Sequence, residues 1–247
     1  MCGYAQHVRP ATILHLADVH LGVGSRGAGL EESAFERMID FAIEEDVDAV
    51  LVAGDLFDHG RVSDDLLAWT AKQLDRAERP VVLLVGNHDP LNDSSVHRRF
   101  RSSERCAHVM MLDDPVGSMV EVPATDVVVW GRAMVEHEPR FRPLGGVPPK
   151  PDGRWGVVAC HGFALDAGQS THHASPITVA ELEALDWDYV ALGHHHGHKV
   201  VREEPCPAVY PGATARRRGG GEARAVLVDL RAGLGASFEP LSLAVTR

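Results

Sequence analysis

Asp48-Ala49-Val50-Leu51-Val52-Ala53-Gly54-Asp55-Leu56-Phe57-Asp58 is the stretch on which the fold turns. A short valine-rich apolar run closed by a glycine reads as a fully buried strand, and here it delivers carboxylates at Asp55 and Asp58. Upstream, Thr12-Ile13-Leu14-His15-Leu16-Ala17 repeats the pattern and ends on Asp18-Val19-His20. Downstream, Pro80-Val81-Val82-Leu83-Leu84-Val85 repeats it again and ends on Gly86-Asn87-His88-Asp89. Between the runs, Phe35, Met38, Ile39 and Ala42 recur at helical spacing over Glu31 to Glu45. Leu66, Leu67, Trp69 and Leu74 do the same up to about Ala77, behind Ser63 as N-cap. Strand-helix-strand-helix-strand order predicts a parallel sheet with functional side chains at the carboxyl ends of its strands.

Two more runs carry the same signature. Trp155 to Cys160 leads into Cys160-His161-Gly162, and Asp188 to Leu192 leads into Gly193-His194-His195-His196. Val109 to Leu112, Ser118 to Val122 and Asp126 to Trp130 read as closely spaced strands, and Pro176 to Ala184 as a helix. Lys199 to Arg202, Ala208 to Tyr210, Ala223 to Leu230 and Ala236 to Leu243 read as a final antiparallel set. Periodicity alone predicts a mixed α/β domain.

The five motifs together present Asp, Asn and His donors, each at a strand end. Such donors suit two hard-to-borderline divalent cations that share a bridging carboxylate. Asp55 is the natural bridge because it follows a buried strand directly. Asp18 and His20 lie two residues apart, so in extended backbone both point to one side; His194 and His196 do likewise, which turns His195 away. Asp89 reads as a residue that secures its turn.

On these residues the sequence resembles the calcineurin-like metallophosphoesterases, from about Thr12 to Gly212. Ile13 to Gly22, Tyr189 to His196 and Val209-Tyr210-Pro211-Gly212 look most like the SbcD-type DNA repair exonucleases. The resemblance implies a four-layer αββα sandwich of two mixed sheets flanked by helices. It implies one metal held by Asp18, His20, Asp55 and His196, and a second by Asp55, Asn87, His161 and His194. It further implies phosphodiester hydrolysis by metal-activated hydroxide, with manganese as the expected metal and iron or zinc as alternatives. His88 is then the group that stabilises the transition state or protonates the leaving group, oriented by Asp58. Read without the resemblance, His88 is a structural histidine satisfied by Asp58, and Asp58 a cap for the next helix.

Composition bounds the substrate and the setting. The chain has 247 residues and a formal net charge of -11, which argues against a broad basic coat for nucleic acid. That balance favours the alternative of a small-molecule phosphatase or cyclic-nucleotide phosphodiesterase, while the SbcD-like opening favours nucleic acid or a nucleotide. A catalytically inactive scaffold is the third reading, and the complete ligand set counts against it. The sequence reads as one metallophosphoesterase domain, 1–247, without the DNA-capping region that SbcD-like nucleases carry. It has no evident helical arm for an SbcC-like ATPase partner. No run is long enough to span a membrane, and Met1 to Pro10 is no signal peptide. Cys2, Cys106, Cys160 and Cys206 lack CxxC spacing and read as reduced, buried thiols of a cytoplasmic protein.

Several residues are read two ways. His97, Arg98, Arg99 and Arg101 read as a solvated helix face, with phosphate contact as the alternative. Arg216, Arg217 and Arg218 read as a surface turn. His172 and His173 stand equally for a substrate entrance and for exposed loop. His15 reads as core or as support for the ligands, and Trp69, Trp155 and Trp187 as packing. The segments Glu136 to Gly153 and Phe163 to Ser175 read as loops over the site.

Overall fold

The computed structural model describes residues 8–23, 29–165, 174–216 and 221–245. The chain opens with β1 (Ala11–Leu16), α1 (Leu30–Glu44), β2 (Ala49–Ala53), α2 (Asp64–Arg76) and β3 (Val81–Leu84). Then come α3 (Val96–Phe100), α4 (Ser102–Arg105), β4 (Val109–Leu112), β5 (Ser118–Glu121), β6 (Val127–Gly131) and β7 (Trp155–His161). β8 (Phe163–Ala164), β9 (Pro176–Ile177), α5 (Val179–Glu183), β10 (Tyr189–Gly193), β11 (Lys199–Arg202) and β12 (Ala208–Tyr210) follow. β13 (Ala215–Arg216), β14 (Glu222–Arg231) and β15 (Gly235–Ala244) complete the set.

Among the described residues, the first large sheet has the order β13-β14-β1-β2-β3-β4, with β15 paired to β14; the second has the order β11-β12-β10-β7-β6-β5. β1 to β4 are parallel, as are β6, β7, β10 and β12. Both parallel sets are buried, so their strands read as continuous apolar runs. The sheets pack face to face: Ile13, Leu51, Leu84, Val129, Val157 and Ala191 meet in one core. On the outer face of the first sheet, Leu14, Leu16, Val50 and Val52 pack on Phe35, Met38 and Ile39 of α1. On the outer face of the second, Val128, Val158 and Val190 pack on Leu182 and Trp187. Each large side chain so buried stabilises the fold by roughly 1.5–3 kcal/mol. The αββα arrangement is therefore present, its second helical layer reduced to α5 and neighbouring loop residues.

Ser63 caps α2, its hydroxyl accepting from Leu66 N at 3.2 Å. Two expectations change. The helix read over Pro176 to Ala184 is only α5, because Thr178 adopts extended backbone and closes a capping box with Glu181, while Pro176 and Ile177 pair with β8. The final antiparallel set divides between the sheets: β12 runs parallel to β10 in the second, whereas β14 joins β1 in the first. Trp155 and Trp187 are packed, with indole N–H groups on the carbonyls of Arg9 and Pro148. Cys106, Cys160 and Cys206 are buried free thiols, and Cys2 lies outside the described residues. No helix among the described residues is long and apolar enough to cross a membrane.

Candidate functional site

Five parallel strands end at one place. β1 leads to Asp18 and His20, β2 to Asp55, β3 to Asn87 and His88, β7 to His161, and β10 to His194 and His196. The turns after β1 and β2 stay zipped together: Asp18 N donates to Gly54 O at 3.1 Å, and Val19 N and His20 N both donate to Asp55 O. Extended backbone is not what aims the ligands. Asp18, His20, Asp55 and His194 all have positive φ, at 50°, 55°, 54° and 105°. That region is sparsely used by non-glycine residues, and here the flanking strands impose it. Close approach needs glycine beside the ligands. A Cβ on Gly54, itself at φ 94°, would lie 2.1 Å from His161 Nδ1, and one on Gly86 would lie 2.1 Å from Asp55 Oδ1.

The donor atoms converge. Asp55 Oδ2 lies 3.3 Å from His161 Nε2 and 3.9 Å from His20 Nε2. Asn87 Oδ1 lies 3.0 Å from His161 Nε2 and 2.8 Å from His194 Nδ1. Asp18 Oδ1 lies 3.8 Å from His196 Nε2, and both Asp18 oxygens accept from His194 N. His161 Nδ1 faces Ala53 O at 2.9 Å, which holds the ring so that Nε2 points inward. His195 turns away onto Gly197 and Tyr210, although His194 at φ 105° is not in the extended backbone from which the spacing argument started.

Electrostatics support a cation here. Burial pushes the Asp18 carboxyl up. Burial also opposes charge on Asp55, but His161 beside it holds that carboxyl well below the usual range. Against its own burial, the Asp55 carboxylate lifts His161 to about 9. Burial and the neighbouring His161 press His194 down to about 3. His20 Nε2 and His196 Nε2 face one another at 3.2 Å, while burial lowers the pKa of His20. Each neutral ring can turn a nitrogen lone pair into this space, and burial disfavours a charged ring there, so the pair is suited to receive a cation. Asp18, His20 and His196 form one group able to hold a metal ion, and Asp18, Asp55 and His161 another. The residues fit a pair of divalent cations.

His88 stands at the mouth. Its N–H donates to Asp55 Oδ1 at 2.8 Å, and its Nδ1 meets the Asp58 carbonyl at 2.9 Å. The Asp58 carboxylate lies nearer His20 Nδ1, at 3.2 Å though off hydrogen-bond alignment, than His88 Nδ1, at 3.5 Å. Asp58 thus touches both histidines, and the contact to His88 is mainly through backbone.

Other residues fall differently from expectation. His97 is buried, not on a solvated face: its Nε2 is 3.0 Å from Asp89 Oδ2. Asp89 also accepts from Gly86 N and Phe57 N, so it ties the turns after β2 and β3 together. Arg99 bonds Asp64 and the carbonyls of Gly60 and Val62, and Arg101 pairs with Glu104. His15 is buried between the sheets, its Nδ1 on the Tyr189 hydroxyl at 3.0 Å. His137 was not singled out by sequence; its ring packs edge-on against His194 at 5.3 Å. Only its place in the 136–153 loop pointed there. His172, His173, Arg217 and Arg218 lie outside the described residues.

The family model of calcineurin-like phosphoesterases matches residues 11–198. The chain is 29% identical over 216 residues to the DNA double-strand break repair protein Mre11 of Haloferax volcanii, an overlap of 83% of this chain and 45% of that protein. It is 27% identical over 247 residues to the SbcD component of the SbcCD nuclease of Bacillus subtilis, covering 81% of this chain and 61% of that one. The chain spans about half the length of the curated relatives it matches. TT1561 of Thermus thermophilus shares the fold, with a TM-score of 0.61 at 14% identity over 96% of this chain and 100% of that chain. The matched segment contains every ligand motif, and the chain belongs to the calcineurin-like phosphoesterases, a family of dinuclear metal-dependent phosphoester hydrolases.

Proposed function

We propose that this chain is a phosphodiesterase acting on nucleic acid, a nuclease in the manner of its Mre11- and SbcD-like relatives. The observation that carries the reading is the position of Asp55, whose Oδ2 faces His20 on one side and His161 on the other. Asp18, His20, Asp55 and His196 hold one cation, and Asp55, Asn87, His161 and His194 the other. When bound, the pair supplies Lewis-acid polarisation of the phosphoryl group and an activated water. His88 reaches the substrate from the groove side and stabilises charge on the departing oxygen or protonates it. Asp58 orients His88 and steadies His20. The mixed set of oxygen and imidazole donors suits manganese, with iron or zinc as substitutes. The names of the two relatives support a nucleic-acid substrate, and the setting we propose is the cytoplasm.

The net charge of -11 favours a second reading, a phosphoesterase of small molecules. Manganese-loaded protein is incubated with a labelled single-stranded oligonucleotide and with bis(p-nitrophenyl) phosphate, with His88→Ala as control. Cleavage of both, with turnover reduced about a hundredfold or more in the variant at unchanged metal content, supports the nuclease. Cleavage of the small diester alone moves the assignment to the second reading, and an unchanged rate in His88→Ala removes the role given to that histidine.

A further inference from the structure

The groove that opens on His20, His88 and His196 does not stop at the ligands. It has a volume of about 480 Å³ and continues to Arg216 on β13 and Arg224 on β14. Val23, Ala213 and Ala215 add apolar surface to the lining of the same groove. The arginine pair is organised by one acid: Arg216 Nη1 lies 3.1 Å and Arg224 Nη2 3.5 Å from the same Glu222 oxygen. Each guanidinium carries five N–H donors in a planar fork, so among the described residues the shared carboxylate oxygen engages only part of each fork and leaves donors for another anion. Glu31, at the start of α1, also lines this groove. With Glu222 and Glu31 both at this end, donor geometry is what the two arginines offer.

Resting on the phosphodiesterase reading, we propose that Arg216 and Arg224 form a subsite for a second, non-scissile phosphate. A ligand cluster, apolar lining and a guanidinium fork in one groove match the phosphate, nucleoside and second phosphate of one strand. The substrate class is then an oligonucleotide or a phosphorylated dinucleotide. Bare diesters and cyclic mononucleotides lack the group that this end binds. The Arg216 to Arg218 run, which reads from sequence as a surface turn, acquires a function at its first member because β13 pairs with β14 beside the groove.

Hydrolysis of thymidylyl-thymidine is compared with that of its 5′-phosphorylated and 3′-phosphorylated forms by manganese-loaded protein. One of the phosphorylated forms is preferred in kcat/KM by about tenfold or more, the worth of a charge-assisted hydrogen bond. In Arg216→Ala/Arg224→Ala the preference ratio collapses towards one, chiefly through KM. Arg216→Lys/Arg224→Lys restores part of it, since charge returns without the planar fork. A variant that lowers all three rates together with the ratio intact marks the arginines as merely structural and overturns the proposal. So does a wild-type protein that cleaves bis(p-nitrophenyl) phosphate without preferring either phosphorylated dinucleotide; in that case the phosphodiesterase reading stands. Cleavage of no diester at all overturns both.

Discussion

Asp55 is the residue on which the cluster depends, because one carboxylate serves both groups of imidazoles. Asp55→Asn keeps the shape and removes the charge. Loss of a supporting group around a metal costs about ten- to a hundredfold in affinity, so loss of a direct bridging charge weakens binding by at least about a hundredfold. Metal analysis after dialysis checks this, and full occupancy with two equivalents in the variant contradicts the bridging role. Asp89 plays the opposite part, structural and buried at 1% exposure. It accepts from Gly86 N, Phe57 N and the His97 ring. Asp89→Ala leaves those donors unsatisfied in the interior and destabilises the protein by about 3 kcal/mol, read as a lower urea midpoint. His88→Ala, by contrast, leaves the urea midpoint near that of the parent, since His88 is exposed at the groove mouth.

At the scale of elements, α5 owes its place to a local capping box and one long-range ion pair. Thr178 and Glu181 cap each other, and Arg142 bonds Glu181 Oε2 at 2.7 Å, tying the 136–153 loop to the helix. Burial opposes charge on Glu181, but Arg142 and Thr178 outweigh it and hold the carboxyl below its ordinary range. A depressed folded-state pKa means stability that is present above the unfolded value, about 4.3, and lost as pH falls through the folded one. Glu181→Gln therefore lowers stability at about pH 6 and has little effect at about pH 3. Urea midpoints of both proteins at the two pH values test the sign. Equal destabilisation at both would assign the effect to packing instead of charge. Only the start of this segment reaches the cluster, with His137 against His194. Leu144, Val147 and Lys150 pack on the outer face of the second sheet instead of over the site, and Arg142 anchors the segment to α5.

For the whole molecule, the site lies where the two sheets meet, and metal binding couples to global stability. Buried Asp18, His20, Asp55 and His161 are costly without a cation to compensate their packing together. Saturation at about a hundred times Kd adds about 2.7 kcal/mol, or roughly 5–10 °C in Tm for a chain of this size. A chelator titration followed by calorimetry measures it, and a melting temperature insensitive to chelator would separate the cluster from metal binding. Much of this was legible in the sequence. The Asp, Asn and His motifs, the apolar runs ending on them and the Ser63 cap are local properties, set by residues a few positions apart. The turn geometry of Asp18, His20 and His194 was not, because their positive φ comes from pairing with Gly54 and Asp55 and from packing. Nor was the burial of His97, which follows from a partner outside any periodic pattern. β14 pairs Leu230 with Ala11 and so sets β13 and its arginine beside the groove. The sequence by itself thus determined which Asp, Asn and His side chains stand at the strand ends and which strands carry them. Only the tertiary structure decided how the turns aim them and what else shares their groove, because pairing across such long chain separations is chosen by the packing of the whole core and leaves no local periodicity to read.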